Sequence, residues 1–430
     1  MPETESIEPL EQGSTSAFKS ILILSKATVG AGIIALPQKA RHSGVPLFVL
    51  LICVAGFFTI RSVEMIAKGA RATRKFVFEE ITEQLLGPRM SFVVGLSMLL
   101  NCFGASIVYM IAIKDALDSL LVNVSFGDGI DLPSYVTMII GGVLSLCTLI
   151  PDVSSVSVIS VIGVIGVLVT VIAVVYARIH LGEAENLSEP PAFSTLDTII
   201  MPAKGLLYNV SVISTITFSL CNQFNVPQVY RELRDKRSEN VGLVAFFATL
   251  LPAVLYIITA IAGYLCYGSQ IEENIFKNFA PLVAAKNVWI MLGILALIVS
   301  VIGCHILNGF PLKLSVIYFL PVSAQENFFV KYILPILLSL CGVVIALIYS
   351  EVSMFIGLLG AATGGIICYI TPALLSMKAD ILDAEKPYMQ RVKISNYVFE
   401  TFMVIVGVFL CVLGTACEIY FVSSKETRED

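Results

Sequence analysis

The stretch ILILSKATVGAGIIALPQKARHSG, from Ile21 to Gly44, is apolar enough to enter a bilayer, yet it does not read as a regular spanning helix. Lys26 stands inside it, and Gly30-Ala31-Gly32 sets two glycines one residue apart where a span should run uninterrupted. Glycine costs about 1 kcal/mol against alanine inside a helix, so the pair favours a local break. At membrane depth a break survives only where its loose backbone is buried in protein or lines a cavity. Breaking the helix frees backbone N–H groups, and the half-helix that follows turns its positive dipole end towards them. The backbone of Val29, Gly30, Ala31 and Gly32 is therefore expected to seat a carboxylate. Helix packing is the alternative use of such a glycine pair.

The rest of the chain supplies the setting. Its 430 residues are 57% hydrophobic and 14% charged, with a mean hydropathy of +0.88, which excludes an ordinary soluble globule. Apolar runs of eighteen or more residues recur along the whole length, the pattern of an all-α integral membrane protein. The alternating pattern of an outer-membrane barrel is absent. A net charge of −5 and the lack of a basic cluster argue against nucleic acid as a partner. The ten cysteines, Cys102, Cys147, Cys341 and Cys411 among them, lie almost entirely within apolar runs. They lack metal-ligand spacing and read as small buried apolar residues. With three histidines and no HExxH or CxxC motif, no metal site is expected.

Eleven spans are expected, at about 18–40, 45–67, 91–117, 133–150, 154–178, 204–229, 241–266, 286–310, 331–349, 352–376 and 395–422. Residues 1–17 read as a disordered tail, 18–422 as one transmembrane domain, and 423–430 as a C-terminal tail. Lys and Arg concentrate in three loops: Lys68 to Arg89, Arg231 to Arg237, and Lys378 with Lys386, Arg391 and Lys393. The count puts all three on one side, which the positive-inside rule makes cytosolic, together with the N-terminus. The opposite loops, Asp118 to Asp131 and Glu183 to Glu189, are acidic or neutral and carry sequons at Asn123 and Asn186. Phe78, Ile81 and Leu85 recur at helical spacing between spans two and three, predicting a short amphipathic helix in the interface. Gly357, Gly360, Gly364 and Gly365 in span ten suit close helix approach.

A second interruption falls in span six, ISTITFSLCNQFNVPQVYRELRD. Helix formers stop at Asn222-Gln223, and Pro227 removes a donor and restricts its predecessor. Two amides in mid-span are costly unless something polar faces them. Spans one and six open two five-span blocks, residues 18–178 and 204–376, leaving 395–422 as an extra helix. Interruptions at corresponding positions of two halves point to the binding site of an inverted-repeat secondary transporter.

The chain resembles the amino acid/auxin permease family over nearly its whole length. The likeness lies in LSKATVGAGIIALP (Leu24–Pro37), FEEITEQLLGP (Phe78–Pro88), TFSLCNQFNVPQVYRELRDK (Thr217–Lys236) and IGLLGAATGGIICYITPALL (Ile356–Leu375). The resemblance implies eleven spans in a LeuT-type fold, a 5+5 inverted repeat plus one helix, a cytosolic N-terminus, and amino acid movement driven by an ion gradient. In the sodium-coupled neutral branch an asparagine stands where this chain has Lys26, and hydroxyl residues stand at Ile302 and Cys304. Those departures put a sodium site in doubt. A lysine before the glycine motif is more similar to the proton-coupled and vacuolar branches.

Lys26 lies about two turns inside the membrane. It could replace a bound sodium or carry a proton, or it could snorkel to the cytosolic interface along its alkyl stem. His305, in mid-span eight, is a candidate proton relay or a neutral hydrogen-bonded ring. Arg61 and Glu64 read as an intrahelical ion pair, Lys114 and Asp115 as interfacial, and Glu351 as the solvated start of span ten. The leading expectation is proton-coupled secondary transport of neutral amino acids by a monomer. The substrate would sit on the backbone of Val29 to Gly32 with Ser219, Asn222 and Gln223, and Lys26 and His305 would couple the ion. Sodium coupling and an amino acid sensor on a transporter fold are the alternatives. No paired carboxylates, metal ligands or Ser/His constellation within the spans suggests an enzyme, and no cofactor is implied. The plasma membrane and a vacuolar or lysosomal membrane remain equal expectations.

Overall fold

In the computed structural model, the residues described are 13–123, 131–149, 157–180, 205–325, 327–349, 351–382 and 397–429. The quoted stretch forms two helices, α1 (Ala17–Thr28) and α2 (Gly32–Ser43). Their axes bend by 62° at the break. Gly44, at φ +76°, ends α2 and lets the chain turn directly into α3 (Val45–Thr73). A short helix, α4 (Phe78–Leu86), precedes α5 (Pro88–Leu120), α6 (Leu132–Leu149) and α7 (Val158–His180). The stretch expected as span six forms α8 (Leu206–Ser219) and α9 (Val226–Glu232), with one 3-10 turn, Gln223–Asn225, between them. Then come α10 (Ser238–Tyr267), α11 (Ile275–Ala284), α12 (Val288–Tyr318), α13 (Phe329–Ile348), α14 (Val352–Leu382) and α15 (Val398–Ser424).

Among the described residues nine helices are long and apolar enough to cross a membrane, and the bent α1/α2 pair makes a tenth. Their flanks carry Leu50, Phe57, Ile139, Ile172, Phe247 and Ile405 exposed. A soluble monomer does not tolerate apolar surface on that scale, whereas lipid tails solvate it. The molecule is a multi-pass membrane protein. The helices pack around the broken pair: α12 lies along α5 and α7, and α10 runs against α1, α2 and α3.

Several features differ from the sequence expectations. Asp115 is buried rather than interfacial, because α5 continues to Leu120 and Asn274 donates to its carboxylate at 2.8 Å. Phe78, Ile81 and Leu85 of α4 do form one apolar face, but they bury it in the protein against α3, α5 and α14. Span ten is not a regular helix. Residues Gly360–Ile370 are π-helical, and a Cβ on Gly360 would lie 1.9 Å from the Ser214 carbonyl oxygen, so α8 touches it backbone to backbone. Within the two stretches expected as tails, Thr15 exchanges backbone hydrogen bonds of 2.9 Å with Glu232 and Arg234, and the last helix runs on to Glu429.

Arg61 and Glu64 pair as expected. Arg71 donates to the Tyr230 hydroxyl, Ser238 Oγ and the Lys236 carbonyl, and Lys68 pairs with Asp380. These contacts bring the ends of α3, α9 and α14 together on one face, where Thr15 also lies. The Asn186 sequon, the Glu183 to Glu189 stretch, Lys386, Arg391 and Lys393 lie outside the described residues, as does most of the 1–17 segment.

Candidate functional site

The two broken helices meet. A Cβ placed on Gly32 would fall 2.3 Å from Ser219 Oγ and 2.7 Å from its Cβ, so only glycine lets the start of α2 cross the end of α8. A Cβ on Gly30 would approach Tyr109 of α5 at 3.0 Å and Cys304 of α12 at 3.2 Å. The hydroxyl of Tyr256, from α10, lies 2.7 Å from the carbonyl oxygen of Thr28 and 3.1 Å from that of Ser219. One side chain thus satisfies the carbonyl ends of both first half-helices, groups that breaking the helices leaves without partners. Asn222 Nδ2 donates to Thr28 Oγ1 at 3.0 Å and adds a second stitch.

A chamber of about 10 Å³ remains at this junction. Gly30, Ala31, Gly32 and Ser219 line it, with Asn101 and Tyr109 across from them. The N–H groups of Ala31 and Gly32 have no acceptor among the described residues, which is the donor pair the broken helix was expected to supply. Such a volume holds about one water.

The other residues of the expected seat stand elsewhere. Val29 does not line the chamber, and its carbonyl turns away to Lys26. Asn222 and Gln223, both fully buried, stand behind the chamber wall. Gln223 Oε1 accepts from the Asn222 N–H at 2.9 Å and from the Cys368 thiol at 3.3 Å. Asn222 Oδ1, Gln223 Nε2 and both amide atoms of Asn225 are buried with no hydrogen-bond partner among the described residues. A buried polar atom left unpaired costs about 1–3 kcal/mol, so this cluster is poised to bond something that enters or moves.

Lys26 is wholly buried, which overturns the snorkelling alternative. Its stem fills a slot between Gly163 of α7 and Gly303 of α12, where added Cβ atoms would lie 2.2 and 3.2 Å from its Cε. Its ammonium donates to the Val29 carbonyl at 2.8 Å, to Ser300 Oγ at 2.8 Å and to Cys304 Sγ at 2.7 Å. The Cys304 thiol in turn donates to the Val29 carbonyl at 3.0 Å. No carboxylate pairs with this ammonium among the described residues. Ser300 and Cys304, four apart, share one face of α12, whereas Ile302 packs into the apolar core. The hydroxyl that faces this spot is therefore at Ser300, which sequence reading did not single out.

His305, also buried, lies apart from the Lys26 contacts: its Nε2 is 3.4 Å from Ser339 Oγ. Its ring meets Tyr109 edge-on at 6.3 Å, and its Nδ1 has no partner among the described residues. Thr28, Asn101, Tyr109 and Tyr256 were likewise not anticipated. Their only trace in the sequence is a polar group in mid-span, a trace shared with many residues that merely bond their own helix.

Two broken helices thus face each other across a buried chamber, and the backbone donors in one break have no acceptor among the described residues. The chain belongs to the family of transmembrane amino acid transporter proteins, whose model matches residues 13–420. It is therefore a transporter and not an enzyme. Over 416 residues it is 22% identical to a sodium-coupled neutral amino acid symporter 2 of Danio rerio, a match covering 92% of this chain and 81% of that protein. It is 25% identical over 307 residues to vacuolar amino acid transporter 7 of Saccharomyces cerevisiae, covering 70% of this chain and 58% of the other.

Proposed function

We propose that this chain carries neutral amino acids across a membrane by secondary active transport coupled to protons. In this reading α8 and α9 together form the sixth of eleven spans, residues 18–178 and 204–376 are inverted LeuT-type repeats, and 395–422 is an added helix. The substrate carboxylate takes the free N–H groups of Ala31 and Gly32 once the chamber opens, and Ser219 faces it from the second break. Asn222, Gln223 and Asn225, with unspent buried hydrogen-bonding atoms, supply the polar contacts that appear on opening.

One observation carries the choice of ion: the Lys26 ammonium already occupies the place between α1 and α12 where oxygen ligands would hold a metal cation. Two unit charges about 4 Å apart repel by roughly 4 kcal/mol at an effective dielectric near 20, close to a thousandfold in affinity. Sodium and a charged Lys26 therefore exclude each other. The proton moves on Lys26, with Cys304 at hydrogen-bond distance to share it, and the cation is lost and regained with each cycle.

Purified protein in proteoliposomes tests this, with each of the twenty amino acids labelled in turn. Replacing sodium by choline should leave uptake unchanged, and an imposed pH gradient should drive accumulation. Uptake that requires sodium at fixed pH and zero voltage would overturn the proton reading. It would favour sodium symport, the second reading, which the name of the Danio rerio relative supports. Binding without accumulation under either gradient would favour a sensor. The protein acts as a monomer in this scheme, with the basic face and Thr15 cytosolic. A vacuolar placement, as in the name of the Saccharomyces cerevisiae relative, and the plasma membrane are both open to it.

A further inference from the structure

The sequon Asn123-Val124-Ser125 begins just past the end of α5, and the Asn123 side chain is engaged elsewhere in the fold. Its Nδ2 donates to the carbonyl oxygens of Val283 at 3.2 Å and of Ala284 at 3.4 Å. These carbonyls belong to the last turn of α11, where a helix leaves such groups without partners of its own. Beyond them the chain turns through Lys286 at φ +60°, whose N–H bonds the Val283 carbonyl at 2.8 Å. Asn123 thus caps a helix that lies 160 residues further along the chain.

It is the last of three rungs. Asp115, Ser119 and Asn123 follow at four-residue intervals, one helical stripe continued past the end of α5. Asn274 caps the start of α11, its Oδ1 accepting from the Phe276 N–H at 3.0 Å, and its Nδ2 donates to Asp115 Oδ2 at 2.8 Å. The Ser119 hydroxyl is shared between the Phe276 carbonyl and the Asp115 carbonyl of its own helix, each at 3.0 Å. Between the rungs Phe276, Phe279 and Val283 bury one apolar face. The 10 residues of α11 rise about 15 Å, close to the span from Asp115 to Asn123, so α11 lies along the end of α5 and is held at both of its own ends. Ile275, its first residue, comes within 2.4 Å of a Cβ built on Gly263 of α10, and Pro37 of α2 lies 3.0 Å from the same point. The clamp therefore sets α5, which carries Asn101 and Tyr109 at the chamber, against the half-helix that leaves the first break.

An asparagine amide has two N–H donors, and an N-linked glycan replaces one of those hydrogens with a bulky group. A sugar on Nδ2 would take the atom that reaches both carbonyls, with α11 only 3.2 Å away. We infer that Asn123 is the cap that clamps α11 to α5, and that the folded transporter is the form in which this sequon carries no glycan. The glycan half of the inference rests on the reading that the basic face is cytosolic, which puts this end of α5 on the side where glycans are added. The clamp does not depend on that reading.

The full chain, purified from a host that glycosylates sequons, tests both halves. Peptide-N-glycosidase in heavy-oxygen water converts a glycosylated asparagine to labelled aspartate, and peptide mass spectrometry of the wild type should find Asn123 unconverted. Ser125→Ala removes the sequon and keeps the amide, so electrophoretic mobility and hydrogen exchange should both stay as in the wild type. Asn123→Ala should speed exchange of the amides from Phe276 to Ala284 tenfold or more. Asn123→Asp keeps the size, loses the donor and sets a charge against the negative end of α11, so exchange there should be at least as fast. A glycan on Asn123 in the purified wild type, or wild-type exchange rates in both Asn123 variants, overturns the inference. An epitope inserted after Asp235 that is labelled on intact cells would show the reading of sides to be wrong, and the exchange rates would still decide the clamp.

Discussion

Gly32 and Lys26 carry the sharpest single-residue consequences. A methyl group at Gly32 meets Ser219 at 2.3 Å, closer than any real Cβ contact, whereas at Gly30 the nearest atom is 3.0 Å away on a ring edge. Gly32→Ala should therefore lower transport tenfold or more, a loss of about 1.4 kcal/mol or beyond. Gly30→Ala should be milder, and Ser219→Gly should partly restore Gly32→Ala; proteoliposome uptake of the four proteins checks the order. At Lys26, replacement by methionine keeps the stem between Gly163 and Gly303 and removes only the charge. Lys26→Met should lose accumulation driven by a pH gradient while still exchanging labelled for unlabelled substrate. Full pH-driven accumulation in that variant would mean the ammonium is structural.

At the scale of elements, Tyr256 holds the two breaks in register. Tyr256→Phe leaves the Thr28 and Ser219 carbonyls without their shared donor, at a cost of about 1–3 kcal/mol. The thermal midpoint should fall accordingly, and substrate affinity should fall with it if the breaks must stay aligned to bind. The helix α4 supplies a pH-dependent contact outside the spans. Burial pushes the Glu79 carboxyl above the usual glutamate range, and the hydrogen bond it accepts from Ser315, at 2.8 Å, only partly opposes this. The folded state therefore holds the proton more tightly than the unfolded chain. That contribution to stability is fully present below the ordinary glutamate pKa and is lost as pH rises through the raised value. Thermal unfolding of Glu79→Gln should match the wild type near pH 4 and exceed it near pH 8. Parallel curves across that range would show that Glu79 titrates normally.

For the whole molecule, the contacts of Lys68, Arg71 and Thr15 tie the ends of α3, α9 and α14 together at one end. An epitope inserted between Asp235 and Lys236 should be reached by antibody only after the membrane is permeabilised, and labelling of intact cells would invert the topology. In the proposed scheme a chamber of about 10 Å³ makes binding and helix movement one event. Substrate should therefore change the accessibility of the α1/α2 and α8/α9 junctions together, and hydrogen exchange at Gly30 to Gly32 and Leu220 to Asn225 is the measure.

Glycine spacing, proline and mid-span amides announced both breaks, and apolar runs announced where the helices start to within a few residues, because helix propensity and bilayer thickness act locally. By contrast, α3, α12 and α14 run six to eight residues beyond their expected ends. What faces a break is a matter of which helices cross there, and periodicity within one helix carries no record of its neighbours. So Tyr256, Tyr109 and Ser300 emerged only with the packing. The direction taken by the Val29 carbonyl and the withdrawal of Asn222 and Gln223 behind the chamber wall also depend on crossings between elements far apart in the chain. Lys26 shows the division most plainly. Its charge and depth were legible in the sequence, but whether it reached the interface or stayed buried depended on Gly163 and Gly303, more than a hundred residues away, leaving a slot as wide as its stem.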